Sequence, residues 1–233
     1  MAMTEAGWLA CPSSRDAFRF IKGKVSDRKL RLIAVACCRA TWSLLNEVSR
    51  RAVDIAELYA DGCVSQDLLR ATRAEFRATD ADRTVEIIRG VRYRPDFGGA
   101  AADDEADWAA TVAVGQSADK ATWSKLRATG RDFSSTEFGD VLDAEMLARR
   151  QLCQDVLGPF PFRPVYFDPA WRTSTAVSLA TQMYESRDFG AMVILADALQ
   201  DAGCDNTDVL DHCRGPGPHA RGCWVVDLVL GKE

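Results

Sequence analysis

The residues best suited to chemistry are gathered near the end of the chain. The segment from His212 to Glu233, HCRGPGPHARGCWVVDLVLGKE, contains both histidines, two of the eight cysteines and a Gly-Pro-Gly-Pro turn. Proline is well accommodated at the first position of a helix, so the spacing predicts that Pro218 opens the final helix. His219, Cys223 and Asp227 then fall at i, i+4 and i+8, along one face. One chemistry for such a stripe is zinc ligation. His219 and Cys223 would form a pair one turn apart, completed by Cys204 and by Cys213 or His212 to give a tetrahedral N/S set. A second is nucleophilic, with Cys223 as thiolate, His219 as base and Asp227 as orienter. The sequence offers no oxyanion hole for it, and residues one turn apart on the same rod have little freedom to relay a proton.

A third reading takes Arg214 and His219, which four residues separate. That is the R-x4-H spacing of HEPN-type ribonucleases, although the intervening Gly-Pro-Gly-Pro cannot continue a helix. Against all three stands a packing reading, which is favoured. In it His219 caps or packs at a helix start, Cys223 fills a small core space, and Asp227 pairs with Arg214 or Arg221. Asp197, the one acid in MVILADAL, is then a structural acid paired across the core.

Elsewhere the strongest basic cluster is Lys22, Lys24, Arg28, Lys29 and Arg31, opposed only by Asp27. Cations at a helix start run against the dipole, so the cluster is a candidate phosphate or acidic-partner site, with a solvated face as the alternative. The vicinal Cys37 and Cys38 point about 100° apart on a helix, which disfavours a disulfide between them and suggests packed thiols. No Walker A loop, GxGxxG, HExxH or paired-carboxylate motif occurs in a convincing context.

Composition narrows the classes. A chain of 233 residues with 47% apolar content can bury a core without staples. A net charge of -5 argues against a globally basic nucleic-acid or membrane-surface protein. The first residues lack the basic and apolar regions of a secretory signal, and no run approaches the ~20 apolar residues of a membrane span. The eight cysteines are scattered. A cytoplasmic protein with reduced, mostly buried thiols is the expectation.

Nearly every segment has helical period, so the predicted class is all-α, a multi-helix bundle or irregular helical array. Thr4 caps a short helix bearing Trp8 and Leu9, and Pro12-Ser13-Ser14 breaks the chain before Phe18 and Ile21. Ser26 opens an amphipathic helix whose stripe runs from Leu30 and Ile33 through Cys37 and Thr41 to Leu44, Leu45 and Val48. A helix from about Ser49 stops at Asp61-Gly62, and Ser65 caps another reaching toward Phe76 and Ile87. Residues 90–133 read as irregular, and Ser134 or Ser135 restarts a long helix ending at Gly158-Pro159.

The run GPFPFRPVYFDPAW cannot be helical and makes 158–172 an extended Pro/aromatic connector. It either packs across the helices or serves as a docking surface. Helices at about 173–186, 189–202, 206–213 and 218–230 follow, of which AMVILADAL and CWVVDLVL are apolar on almost all sides and so expected to be central. The chain divides into an N-terminal helical region, 1–157, the connector, and a C-terminal region, 173–233, packed with the first as one unit.

Several runs taken together resemble an uncharacterised protein family abundant in planctomycete-type bacteria: WLAC at Trp8–Cys11, SDRKLRL at Ser26–Leu32, ACCR at Ala36–Arg39, DPAW at Asp168–Trp171, ILADAL at Ile194–Leu199, and the GPGPHARGCWVVDLVLGK tail. The resemblance covers about two thirds of the chain, both ends included, and implies membership without bringing an activity. Members begin at the position matching Met3, and their middle is Ala/Trp/Arg-rich, whereas residues 70–135 here are more mixed and acidic.

The function expected from sequence is a non-catalytic helical protein-interaction or adaptor module, leaning away from an enzyme. Its partner would be another protein, with nucleic acid possible only through the 22–31 cluster and no membrane. The alternative is a zinc-binding protein or a hydrolase or nuclease using the C-terminal Cys/His constellation.

Overall fold

The computed structural model describes residues 4–11, 20–21, 23–78, 118–130 and 134–232. Among them every regular element is helical, as the periodicity predicts. The short α1 (Glu5–Leu9) is capped by Thr4, whose side chain accepts from the Gly7 N–H. Ser26 caps α2 (Asp27–Arg39) by accepting from the Lys29 N–H. Leu30, Ile33 and Cys37 line the inner stripe of α2, and Leu32, Val35 and Ala36 are buried beside them.

The stripe expected to run on to Val48 is two helices. The first ends at Arg39, a single 3-10 turn spans Trp42–Leu44, and the Asn46 side chain accepts from the Ser49 N–H to start α3 (Glu47–Ala60). An N-cap side chain satisfies a backbone donor that a continuous helix would bond to its own carbonyl, so Asn46 favours the break. Helix α4 (Gln66–Ala78) follows, and α5 (118–128) falls within the stretch expected to be irregular. The rest of 79–117, including Ile87, lies outside the described residues, as do Pro12-Ser13-Ser14 and Phe18.

Ser134 and Glu137 form a reciprocal capping box at the start of α6 (Ser135–Leu157). The connector after it is non-helical apart from a 3-10 turn at Pro169–Trp171. It packs across the helices. Phe162 stacks on Phe20 at 5.5 Å and meets Trp8 at 5.9 Å, while Phe167 and Tyr166 contact the buried Trp171 edge-on. Tyr166 alone among these aromatics is largely exposed.

Four helices close the chain: α7 (Ser174–Ser186), α8 (Met192–Asp201), α9 (Thr207–Arg214) and α10 (Trp224–Leu230). Helix α10 is central as expected, with Trp224, Val225, Val226 and Val229 buried. Helix α8 is central on one side only. Met192, Leu195, Ala196 and Leu199 face the core, but Val193 and Ile194 are 51% and 58% exposed. A ten-residue helix at the periphery needs only one covered stripe, so apolar content alone overstated its burial.

Two apolar cores result. One is built by α1, α2 and the C-terminal end of α6, through Trp8, Leu30, Ile33, Leu152 and Val156. The other is built by α7 to α10, through Met183, Leu195, Val209 and Val226. Helix α2 packs on α3 and α6, and α10 packs on α7, α9 and α6. Asp155 and Asp227, both buried, bond residues from elements of the opposite core, and the candidate site lies at that junction.

Candidate metal centre

The final helix does not begin at Pro218. It begins at Trp224, with Cys223 as its N-cap. Gly222 sits at φ +95°, in the left-handed region that interrupts a right-handed helix, and its backbone lies against Leu32 so closely that a Cβ would fall 2.7 Å from Leu32 Cδ1. Residues 215–223 are therefore a loop rather than a turn and a helix start. The predicted His219–Cys223–Asp227 stripe does not exist, and its members are placed differently.

The loop carries His219 down onto α6. Its Nδ1 lies 2.7 Å from Oδ1 of Asp155, and the Ala220 N–H donates to Asp155 Oδ2 at 2.8 Å. His212, in the last turn of α9, brings Nε2 to 3.1 Å from the same Oδ1 and 3.2 Å from Cys223 Sγ. Asp155, His212, His219 and Cys223 each offer one ligand atom, and all four atoms lie within 4.8 Å of one another. Three separate elements, α6, α9 and the loop before α10, thus aim oxygen, nitrogen and sulfur at one point.

The surroundings fix this geometry. Gly158, just after α6, has φ +61°, and a Cβ there would lie 2.5 Å from the Trp224 ring. The missing side chain lets α10 approach the end of α6 and brings Cys223 beside Asp155. The His212 ring packs edge-on against His219 at 5.0 Å and tilts over Trp224 at 5.2 Å. Asp155 and Cys223 are buried, His219 nearly so, and His212 is the most accessible of the four. On one side lies a cavity of about 330 Å³ whose wall includes Asp155, His212, His219 and Trp224.

Electrostatics single out the group. Burial alone would raise the Asp155 pKa, but hydrogen bonds from His212 and His219 outweigh it and hold the carboxyl below the usual carboxylate range. Burial, reinforced by Asp155, pushes the Cys223 thiol well above the ordinary thiol range. His219 Nε2 is buried without a hydrogen-bond partner. An unsatisfied buried polar atom costs about 1–3 kcal/mol, so its presence calls for an explanation.

The arrangement suits ligation better than nucleophilic attack. In a catalytic relay the base contacts its nucleophile through one ring nitrogen and its orienting carboxylate through the other. Here Asp155 and Cys223 meet His212 at the same nitrogen, Nε2, and the thiol is held protonated. A metal at 2.0–2.3 Å from O, N and S donors has tetrahedral ligand–ligand separations of about 3.3–3.8 Å. The observed close pairs, at 2.7, 3.1 and 3.2 Å, need to open by about half an ångström to match that geometry.

The other residues singled out in the sequence lie elsewhere. Cys204 and Cys213 are buried in the C-terminal core, where burial pushes the Cys213 thiol up to about 12. Neither is in the four-residue group. Arg214 bonds Gln200 at 2.6 Å and Asp197 at 3.2 Å on the surface, so it does not meet His219. Asp197 is correspondingly exposed, not a core acid. Asp227 pairs neither with Arg214 nor with Arg221.

Asp227 instead receives the basic cluster. Arg28 bonds both its carboxylate oxygens, at 2.7 and 3.1 Å, and Lys29 Nζ reaches Oδ2 at 2.5 Å. Lys29 also donates to the carbonyls of Val156 and Gly222. Lys24 lies over the Phe20 ring and Arg31 over Tyr59. Lys22 lies outside the described residues. The cluster is thus divided, with its two central members turned inward.

Sequence reasoning missed Asp155, the residue on which the group is built. A signal for it exists. Asp155 stands among Leu152, Cys153, Val156 and Leu157 in the last turn of α6, where the helix dipole disfavours a negative charge. An acid that is both among core residues and at the wrong helix end requires partners. Asp61, Glu57 and Tyr184, which complete the neighbouring ionic network, were also missed.

No protein-family model matches the chain, and neither does any curated protein or solved structure.

Proposed function

We propose that this protein is a metalloprotein that binds a divalent transition metal, zinc above all, through Asp155, His212, His219 and Cys223. The observation that carries the reading is the convergence of four donors from three elements within 4.8 Å, in a buried setting. Charge balance supports it. One carboxylate, one thiolate, two neutral imidazoles and a divalent ion sum to zero, whereas without the ion the thiol is held protonated and the carboxylate relies on imidazole partners. A thiolate favours soft and borderline metals, the carboxylate disfavours monovalent copper, and zinc accepts all three donor types.

An interaction-module reading has a narrower base, the exposed apolar side chains Leu44, Leu68, Leu147, Tyr166, Val193 and Ile194. Such side chains are common on monomer surfaces, and nothing nearby specifies a partner. The metal reading is tested by titrating metal-free protein with zinc in competition with a chromophoric chelator. One tight equivalent is expected, with affinity falling as pH is lowered from 8 to 6 because the Cys223 thiol must lose its proton to bind. Binding no tighter in the parent than in His219→Ala would contradict it.

A further inference from the structure

The four donors do not surround a closed point. Asp155, His212 and His219 line the cavity, whereas Cys223 is fully buried and absent from its wall. A metal held by the set would have sulfur behind it and the cavity of about 330 Å³ in front. Four protein ligands close a structural zinc site, but zinc can expand to five-coordinate where one side is left uncovered, as the cavity side is here. At the small end of ligand-pocket volumes, this space suits a molecule of modest size.

The rest of the lining indicates which molecules fit. It includes Arg163, Asp208, Glu5, Gln151, Gln154 and the Gly215–Pro218 turn. Among the described residues Arg163 is the one arginine or lysine in that lining, and it is satisfied by both Asp208 oxygens and by Glu5. The described lining thus offers no free cation to a phosphate or a second carboxylate. With Asp155 and Cys223 neutralising the metal, the centre itself has no net charge to attract an anion. The two glutamine amides supply uncharged donors and acceptors.

We infer that the metal, held by the four protein donors, takes a fifth, exchangeable ligand on its cavity face, and that this ligand is a small uncharged oxygen donor, water first and, in its place, the carbonyl of a carboxamide or ester. The inference rests on the reading of these residues as a metal centre. A carbonyl bound in this way would be polarised by the ion.

The test uses the full chain loaded with cobalt, whose visible bands report coordination directly, and acetamide as the small uncharged probe. Cobalt uptake with a sulfur-to-metal charge-transfer band is expected, followed by a saturable change in the visible bands as the probe is added. Gln154→Trp, which narrows the cavity without removing a ligand, is expected to keep the cobalt spectrum and weaken the probe by about tenfold. No cobalt uptake would overturn the metal centre itself. Uptake with bands indifferent to the probe would overturn the open position alone, and an unchanged probe affinity in Gln154→Trp would overturn its assignment to this cavity.

Discussion

Two buried polar clusters sit between the apolar cores, and they differ in how their negative charge is met. In the first, every carboxylate faces cations from the chain. Asp227 is bonded by Arg28 and Lys29, Asp61 by Arg221 at 2.7 Å and by Tyr184, and Glu57 by Arg39 at 2.7 Å and by Arg187. In the second, Asp155 is bonded by two imidazoles and a backbone N–H, with a thiol alongside. The first cluster has a chain cation for every carboxylate and fastens α2 and α3 to α7 and α10. Among the described residues the second has donors without a matching cation, as the proposed metal centre requires. Position in the fold is shared; the identity of the partner separates a latch from a ligand site.

The comparison predicts a double dissociation. Asp227→Ala leaves Lys29 buried without its anion and Arg28 with Asp61 alone, at 3.3 Å, and breaking a buried pair in this way costs about 3–5 kcal/mol. Chemical denaturation should show that loss, with zinc still raising the stability of whatever folds. Asp155→Asn should destabilise the metal-free protein less, because it removes a charge without stranding a buried cation. In the parent, zinc at a hundred times its dissociation constant should add about 2.7 kcal/mol, and in Asp155→Asn nothing measurable. Equal zinc stabilisation of both variants would erase the distinction between the clusters.

Packing around the second cluster gives an intermediate effect. Gly158→Ala drives a methyl into the Trp224 ring at a positive φ, so a loss of about 1–3 kcal/mol is expected, together with weaker zinc binding as α10 moves away from α6. Thermal melts with and without zinc would measure both. A variant of unchanged stability and affinity would show that the approach of these helices does not position Cys223.

Acid should act on both clusters. Hydrogen bonds and charges from their partners hold Asp155, Glu57 and Asp61 below the usual carboxylate range despite burial. Since their folded pKa values are depressed, their contribution is fully present above the unfolded value of about 4 and is lost as pH falls through the folded values. Stability measured from pH 6 downward should therefore decline mainly below about pH 4. A titration of unfolding free energy that is flat below that pH would contradict the assignment. The smallest effect is expected for Cys204→Ser, which lies outside the group and should leave zinc affinity unchanged.

Much of the fold was legible from periodicity and caps. Thr4, Ser26, Ser65 and Ser134 all act as helix starts, and Gly158 and Gly231 follow helix ends. These signals are local, and local chemistry decides them. The site was half legible. His212, His219 and Cys223 stood out because histidine and cysteine are scarce and clustered, but the helical stripe drawn through two of them failed at Gly222. Its left-handed conformation is set by the approach of Leu32, nearly two hundred residues away in sequence. Asp155 was hidden for the same reason, since its partners His212, His219 and Ala220 lie about 60 residues further along the chain.

The latch was misread because adjacency in sequence was taken for adjacency on a surface. Arg28 and Lys29 belong to a basic run, yet at successive helical positions on the α2 start they reach inward to Asp227, with Arg28 also bonding Tyr184. Lys24 and Arg31 lie over aromatic rings instead. Charge density along a chain does not show which side chains share a face.

The most direct measurement is metal content by elemental mass spectrometry after zinc loading and desalting, on the untagged parent, Asp155→Asn, Cys223→Ser and Asp227→Asn, with circular dichroism to confirm folding. The account predicts near one zinc per chain in the parent and in folded Asp227→Asn, and zinc lost from Asp155→Asn and Cys223→Ser. No zinc in the parent, or zinc retained equally in all four, would contradict it.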